Sequence, residues 1–442
     1  MEAGAEVEAG AELEVERAAA PGEASARPAA REQRPAQAEP ESEPDLAVVG
    51  GGILGLAVAR ALLVRRPGLR VVVLERESSV GAHQTGHNSG VVHSGVYYRP
   101  GSLKARLCVE GAQRMYAYCD RHDLPYERCG KLIVATRPGE LPALAALEQR
   151  GRANGVAGLR RLRAEELAEI EPHARGLEAL HVPGTGIVDF AAVARSLALG
   201  LERRGGAVLR DAGVHTVDRR RRRIVLGSDR GELRARGAIF CAGGWSDVLL
   251  RASGASSDLR IVPFRGQYLL LAPEARHLVR SLVYPVPDPT LPFLGVHLTR
   301  RIDGEVLVGP SALMVGAPDA YRLGRVDPHS LARTLTWPGT YRVARRWWRT
   351  ALEEIAMAAS RRYLVAAAAR FVPELRPADT LPGPAGVRAQ AVSRSGELVD
   401  DFRIAEHDRA VHVQNAPSPA ATSSLALADL IADRAVPYLE LG

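Results

Sequence analysis

The stretch that most constrains this chain is LAVVGGGILGLAVARALL, residues 46–63. Four apolar residues suit a short buried strand, and apolar positions beyond the glycines recur at helical spacing. The glycines fall as G-x-G-x-x-G at Gly50, Gly52 and Gly55, with Gly51 between the first two. Gly50 permits a tight turn, Gly52 lets a pyrophosphate approach the backbone, and Gly55 allows helix and strand to pack closely. The helix start at Ile53 presents free N–H groups and about half a positive charge to an anion. A second strand, VVVLE, follows the Pro67–Gly68 break and ends at Glu75, next to Arg76, about where an acid that binds ribose hydroxyls belongs. The expected class is α/β, built on a Rossmann-like dinucleotide-binding sheet.

Three features favour FAD as the dinucleotide. No second G-x-G-x-x-G offers a pyridine nucleotide its own domain. Instead the chain runs from Glu75 into HQTGHNSGVVHSGVYY, residues 83–98, which extends along the expected path of a pyrophosphate and ribityl chain toward a flavin. His83, Thr85, His87, Asn88, Ser89, Gly90 and Val91 are the contacts expected there. The last segment, NAPSPAATSSLALADLIA from Asn415, points the same way. Pro417 and Pro419 exclude a helix before residue 420, while Thr422, Ser423 and Ser424 can cap one. A helix N-terminus aimed at a flavin would stabilise the negative charge of its reduced form. Ser418, Pro419, Ala420, Ala421 and Thr422 complete the expected FAD contacts.

With 442 residues, 46% of them hydrophobic, the chain can build two globular domains. Residues 1–44 are Ala/Glu/Pro-rich and nearly free of large apolar side chains, which reads as a disordered leader. It has no apolar core of a secretory signal and too many carboxylates for a transit peptide, so a cytoplasmic location is expected. The net charge of +7 raises the question of nucleic acid. Lys104 and Lys131 are the only lysines, however, and the arginines are scattered. The run Arg219–Arg223 lies between VHTVD and IVLGS, two candidate strands, and reads as a solvated turn. No nucleic-acid partner is expected. Four cysteines without ligand spacing indicate neither a metal nor a disulfide framework.

GGGILGLAVARAL, HQTGHNSGVVHSGVYY, CGKLIVA, GIVDF, VPFRGQYLLL, PFLGVHLTRRIDG, GPAGVRAQAV and NAPSPAATSS occur in that order. Together they resemble the FAD-dependent L-2-hydroxyglutarate dehydrogenase/oxidase family, within the D-amino-acid-oxidase-like flavoproteins. The resemblance runs from about Asp45 to the end. It implies oxidation of L-2-hydroxyglutarate to 2-oxoglutarate, with FAD as hydride acceptor and a quinone or oxygen as the final acceptor. Peripheral contact with the inner face of a membrane would be compatible with quinone use. The implied fold is a discontinuous Rossmann-like FAD domain plus a mixed-sheet substrate domain. The expected division is 45–130, 181–255 and 384–442 for the FAD domain, and 131–180 and 256–383 for the substrate domain. GAIFCAGGWSD, 237–247, reads as a buried strand and glycine turn that return the chain to FAD through Ala242, Gly243 and Trp245. IVPFRGQYLLL, LPFLGVHL and EVLVGPS read as strands of the second sheet; residues 336–371 read as mostly helical, with Trp347–Trp348 as packing residues. The chain departs from the family pattern at GPSALMVGAPDAYRLGRV, 309–326, where Ser311 replaces an expected Asn and only Tyr321 survives from an Arg-Glu-Gly-Tyr-like loop.

Oxidising a 2-hydroxy acid requires a hydride to leave C2 for flavin N5 while a base removes the hydroxyl proton. A neutral histidine suits that task. His93 is the first candidate and His297, in LGVHLT, its rival. A dicarboxylate needs two anion anchors, for which Arg388, in PAGVRAQ, ranks ahead of Arg265, in VPFRGQY; a guanidinium can grip a carboxylate with two parallel hydrogen bonds. Tyr97, Tyr98 and Gln390 can add donors. The alternatives are an amine or amino-acid oxidase on the same fold, and an arginine-rich nucleic-acid-binding flavoprotein.

Overall fold

The computed structural model describes residues 43–288, 290–291 and 293–441. The leader read at 1–44 lies outside the described residues except for Glu43 and Pro44. Among the described residues, two large sheets dominate, and the chain passes between them several times.

The first sheet has six strands in the order Arg403–His407, Ala410–Asn415, Gly237–Phe240, Leu46–Val49, Val71–Leu74, Ala207–Leu209. All neighbours are parallel except the outermost pair at 403–415. LAVV and VVVL are continuous apolar runs because this sheet is covered on both faces. Helix Ile53–Arg65 crosses between them and is apolar almost all round, as a helix packed on several sides must be. Leu56, Val58 and Leu62 have no exposed surface, and burying each such side chain contributes about 1.5–3 kcal/mol. Helix Ala420–Tyr438 packs against it and against helix Leu103–Arg121, which brings the end of the chain beside the glycine fingerprint.

The second sheet is mixed and nine-stranded. Its long pair, Leu259–Leu271 with Thr380–Ser393, is antiparallel throughout, while Lys131–Ala135 and Leu282–Pro285 run parallel. Strands Glu178–Val182 and Arg160–Arg163 close the opposite edge. A small sheet of Val91–Val92, Gly186–Val188 and Tyr126–Glu127 joins the two halves beside His93.

The run of five arginines forms a hairpin. Arg220 pairs with Arg223, so Arg221 and Arg222 make the turn, and Arg221 adopts a φ of 56°. Arg219, Arg220 and Arg223 pair with Asp408, Glu232 and Glu43. Residues 336–371 contain helices Pro338–Arg346, Trp348–Ala359 and Arg361–Ala369. Trp348 is 54% exposed rather than packed, because it lies on the outer face of its helix; Trp347 donates its indole N–H to the Thr290 carbonyl at 3.2 Å. LPFLGVHL is strand only from His297, since 293–296 form a loop across the site. No helix among the described residues is long and apolar enough to cross a membrane.

Candidate functional site

A cavity of about 970 Å³ runs from the glycine fingerprint to the second sheet. At its nucleotide end, Gly50 takes a φ of +110°, and a Cβ there would stand 2.4 Å from the Cys241 carbonyl oxygen. Only glycine fits. A Cβ on Gly52 would meet nothing closer than the Thr85 hydroxyl at 3.4 Å. The space over Gly52 is therefore open to a ligand. Gly55 serves packing, since its Cβ would lie 2.0 Å from the Gly50 oxygen. Helix Ile53–Arg65 has glycine at its N-cap and no first-turn acid, so apart from the Ile53 N–H its positive end is left to an anion. Glu75 is buried, and burial raises its pKa although its oxygens accept the N–H groups of Gly51 (2.8 Å) and Glu77 (2.9 Å). Lone pairs remain on both oxygens for ribose hydroxyls. These residues fit FAD.

The fingerprint continues along the cavity wall. Ile53 donates its N–H to Thr85 Oγ1 at 3.0 Å. Asn88 lines the cavity and shapes the loop: its amide donates to the carbonyls of Gln84 (3.0 Å) and Thr85 (2.6 Å), and its oxygen accepts the Gly90 N–H at 2.8 Å. His83 donates to Glu77, accepts from the Tyr321 hydroxyl at 3.3 Å and meets Trp245 edge-on. His87 stacks on Tyr321 with centroids 3.7 Å apart. Arg76, Ser89, Val91, Ala242 and Gly243 also line the cavity, as do Asn415 and residues 418–422; Gly51 and Gly90 do not line it, though their chain neighbours do.

Thr422 is not a cap. The last helix begins at Ala420 without a side-chain cap, and Thr422 lies inside its first turn, where it accepts the His93 N–H at 3.0 Å and donates to the Val91 carbonyl at 3.3 Å. Ser423 and Ser424 are fully buried there. The hydroxyl thereby ties the two ends of the chain together at the candidate base.

At the far end of the cavity lie His93, Tyr97, Tyr98, Lys104, Tyr268, Tyr284, Phe293, His297, Arg388 and Gln390. Burial foremost, then the charge of Lys131, holds His93 well below the ordinary histidine pKa, and its Nδ1 is buried without a partner. His297 donates Nδ1–H to the Gly295 carbonyl at 2.8 Å, which leaves the Nε2 lone pair free. It stacks on Tyr284 at 4.1 Å, and burial lowers its pKa to about 3. Both imidazoles are neutral at working pH.

The two candidate arginines separate. Phe264 pairs with Arg388 and Arg265 with Val387, so strand alternation sends the two guanidinium groups to opposite faces. Arg388 lines the cavity, lies over Phe293 at 5.2 Å and makes no hydrogen bond or ion pair with another described residue. Arg265 does not line the cavity. It donates to the Tyr321 carbonyl at 3.2 and 3.3 Å and to Gln267, and so holds the divergent 309–326 loop. Gln390 lines the cavity, with its amide donating to the carbonyls of Ala391 (3.0 Å) and Val399 (3.2 Å).

Lys104 and Lys131 were not anticipated as site residues. Lys131 is 1% exposed, and its ammonium sits over the rings of Tyr284 (4.2 Å) and Tyr97 (5.2 Å) without a hydrogen-bond partner. The signal was a lone charge opening the apolar run KLIVA in a chain with only two lysines. Among the described residues, no group of His, Cys, Asp or Glu could hold a metal ion.

A family model described as FAD dependent oxidoreductase matches residues 45–434. L-2-hydroxyglutarate dehydrogenase of Indibacter alkaliphilus is 42% identical over 88% of this chain and 98% of its own. The mitochondrial proteins of that name from Homo sapiens and Caenorhabditis elegans are 44% and 42% identical, over 90% of this chain and 89% and 94% of theirs. Among solved structures, FAD-bound L-alpha-glycerophosphate oxidase of Mycoplasma pneumoniae superposes with a TM-score of 0.73 at 23% identity, covering 90% of this chain and 95% of its own. Glycine oxidase of Geobacillus kaustophilus does so with 0.65 at 19%, covering 89% and 95%. Those two establish the D-amino-acid-oxidase-like fold. With the sequence relatives and the family match, the chain belongs to the L-2-hydroxyglutarate dehydrogenase family of FAD-dependent oxidoreductases.

Proposed function

We propose that this protein oxidises L-2-hydroxyglutarate to 2-oxoglutarate and passes the electrons to a quinone or to oxygen. The observation that carries the reading is Arg388, a guanidinium on the cavity wall with no hydrogen bond or ion pair among the described residues, beside two neutral histidines, in a chain 42–45% identical to relatives named for that substrate. When bound, FAD supplies the two-electron acceptor for the substrate's C2 hydride.

In this reading Arg388 grips the carboxylate next to C2 and fixes the orientation of the alcohol. His93 accepts the hydroxyl proton. Its support is position: Thr422 holds its N–H, and Cys108 donates to its carbonyl at 3.4 Å, so the ring is anchored where the cofactor wall meets the substrate cavity. His297, whose Nε2 lone pair is free on the cavity wall, is the alternative acceptor of that same hydroxyl proton. Phe293, Tyr268 and Tyr284 exclude water from the reacting carbon.

The test is anaerobic flavin bleaching by a panel of 2-hydroxy and 2-amino acids, followed by reoxidation with oxygen or a soluble quinone. Bleaching by L-2-hydroxyglutarate is expected. Bleaching by glycine, sarcosine or a D-amino acid in its place would transfer the chain to amine oxidation, and the reoxidation arm assigns the acceptor.

A further inference from the structure

The proposed substrate carries a second, distal carboxylate, and Arg265 faces away from it. Among the described residues, four cations other than histidine line the cavity: Arg76, Lys104, Arg150 and Arg388. Arg76 lies over Trp245 at 4.2 Å and pairs with Glu77, at the nucleotide end. Arg150 is exposed and donates to the Tyr97 carbonyl at 2.9 Å. Lys104 remains. It is the second residue of helix Leu103–Arg121, one turn before Cys108, whose thiol donates to the His93 carbonyl. Residues four apart share a helix face, so the Lys104 side chain leaves the helix on the side that meets His93.

Its surroundings fit an exchangeable anion site. The Lys104 side chain is 7% exposed, and its ammonium lies 4.6 Å from the centre of the Tyr98 ring. Its one carboxylate partner is Asp400, at 2.6 Å, whose own side chain is 86% exposed. An exposed carboxylate loses little by turning to water, so a substrate carboxylate can take its place. Lysine is also rare here, as Lys104 is one of two among 58 basic residues, and the other, Lys131, lies against the rings of Tyr97 and Tyr284 in the cavity wall. We propose that the Lys104 ammonium exchanges Asp400 for the distal carboxylate of the substrate, and so selects dicarboxylic over monocarboxylic 2-hydroxy acids. This rests on the functional reading above and assigns the second anchor within it.

The experiment compares L-2-hydroxyglutarate with L-2-hydroxybutyrate, which has no distal carboxylate, in anaerobic reduction of the FAD-loaded protein. Substrate Kd is taken from the concentration dependence of the rate. Lys104→Met should weaken L-2-hydroxyglutarate by about 10–100-fold, the worth of one charged hydrogen bond, and leave L-2-hydroxybutyrate within about twofold. Asp400→Asn, at an exposed position, should tighten L-2-hydroxyglutarate about threefold and leave L-2-hydroxybutyrate unmoved. Equal weakening of both substrates by Lys104→Met overturns the assignment. Should that variant not fold, Asp400→Asn decides, and unchanged or weaker L-2-hydroxyglutarate binding overturns it. A wild-type flavin that L-2-hydroxyglutarate does not reduce removes the functional reading itself, whereas a reduced wild type with undiminished discrimination in Lys104→Met removes only Lys104.

Discussion

Replacing Lys131 by methionine should stabilise the protein at neutral pH and remove one pH dependence. The amine is 1% exposed and has no hydrogen-bond partner, and burial moves its pKa from 10.5 down to about 7. In the unfolded chain it keeps its proton to about pH 10.4. Between about pH 7 and 10 the unfolded state therefore binds one more proton than the folded state, so stability rises with pH across that window. Below pH 7 both states are charged, and the penalty of burying the ammonium is present in full. A gap of about 3.5 pH units at about 1.4 kcal/mol each sets that penalty at about 5 kcal/mol. Fitting the differently shaped thioether between the rings of Tyr97 and Tyr284, which lie 5.2 and 4.2 Å from the amine, costs about 1.5 kcal/mol of the gain from removing it. About 3 kcal/mol remains for methionine to recover, since it has a similar length and no charge. Urea unfolding of both proteins from pH 6 to 10 is the assay. The variant should be more stable by about 3 kcal/mol at pH 6, with the difference falling below about 1 kcal/mol by pH 10. A difference that stays constant with pH, or a less stable variant at pH 6, would refute the reasoning.

Gly52→Val should fold but retain little flavin, because its side chain enters the open space over the cradle; a wild-type flavin-to-protein absorbance ratio would contradict this. His93→Ala should slow anaerobic flavin reduction by about two to four decades, and an unchanged rate would clear it as the base. Because burial holds both imidazoles below their ordinary pKa, the folded protein should show no loss of kcat/KM as pH falls through 6.5, and a midpoint there would count against a buried neutral base. Arg388→Ala should raise KM for L-2-hydroxyglutarate by about 10–100-fold, whereas Arg265→Ala should leave KM nearly unchanged and lower the melting temperature by freeing the 309–326 loop.

The parts of this molecule legible in its sequence are those whose cause is local. Gly50 needs its positive φ because of the turn it makes, and the arginine hairpin follows from two flanking strands. Arg388 and Arg265 defeat that kind of reading. Each is an arginine beside glycine in an apolar strand, and what separates them is the pairing of Phe264 with Arg388 across more than a hundred residues of chain. Once that register is known, alternation decides which guanidinium meets the cavity. Thr422 fails for a related reason. A hydroxyl near a helix start is ordinarily a cap, yet here the helix begins two residues earlier and the hydroxyl answers to Val91 and His93 from the other end of the chain.

The two lysines extend the argument. A background in which nearly every basic residue is arginine makes each lysine an exception that asks for a cause. An ammonium is a compact point charge, able to rest on the ring faces of Tyr97 and Tyr284 or to trade one carboxylate for another, where a planar five-donor guanidinium would require a fixed set of acceptors. Lys131 has no acceptor and Lys104 has one exposed, replaceable acceptor. Arginine at either position would leave several buried N–H groups unpaired, at a cost of about 1–3 kcal/mol for each. Composition thus carried site information that no motif held, and it became readable only when each lysine was set against the alternative that the rest of the chain had adopted.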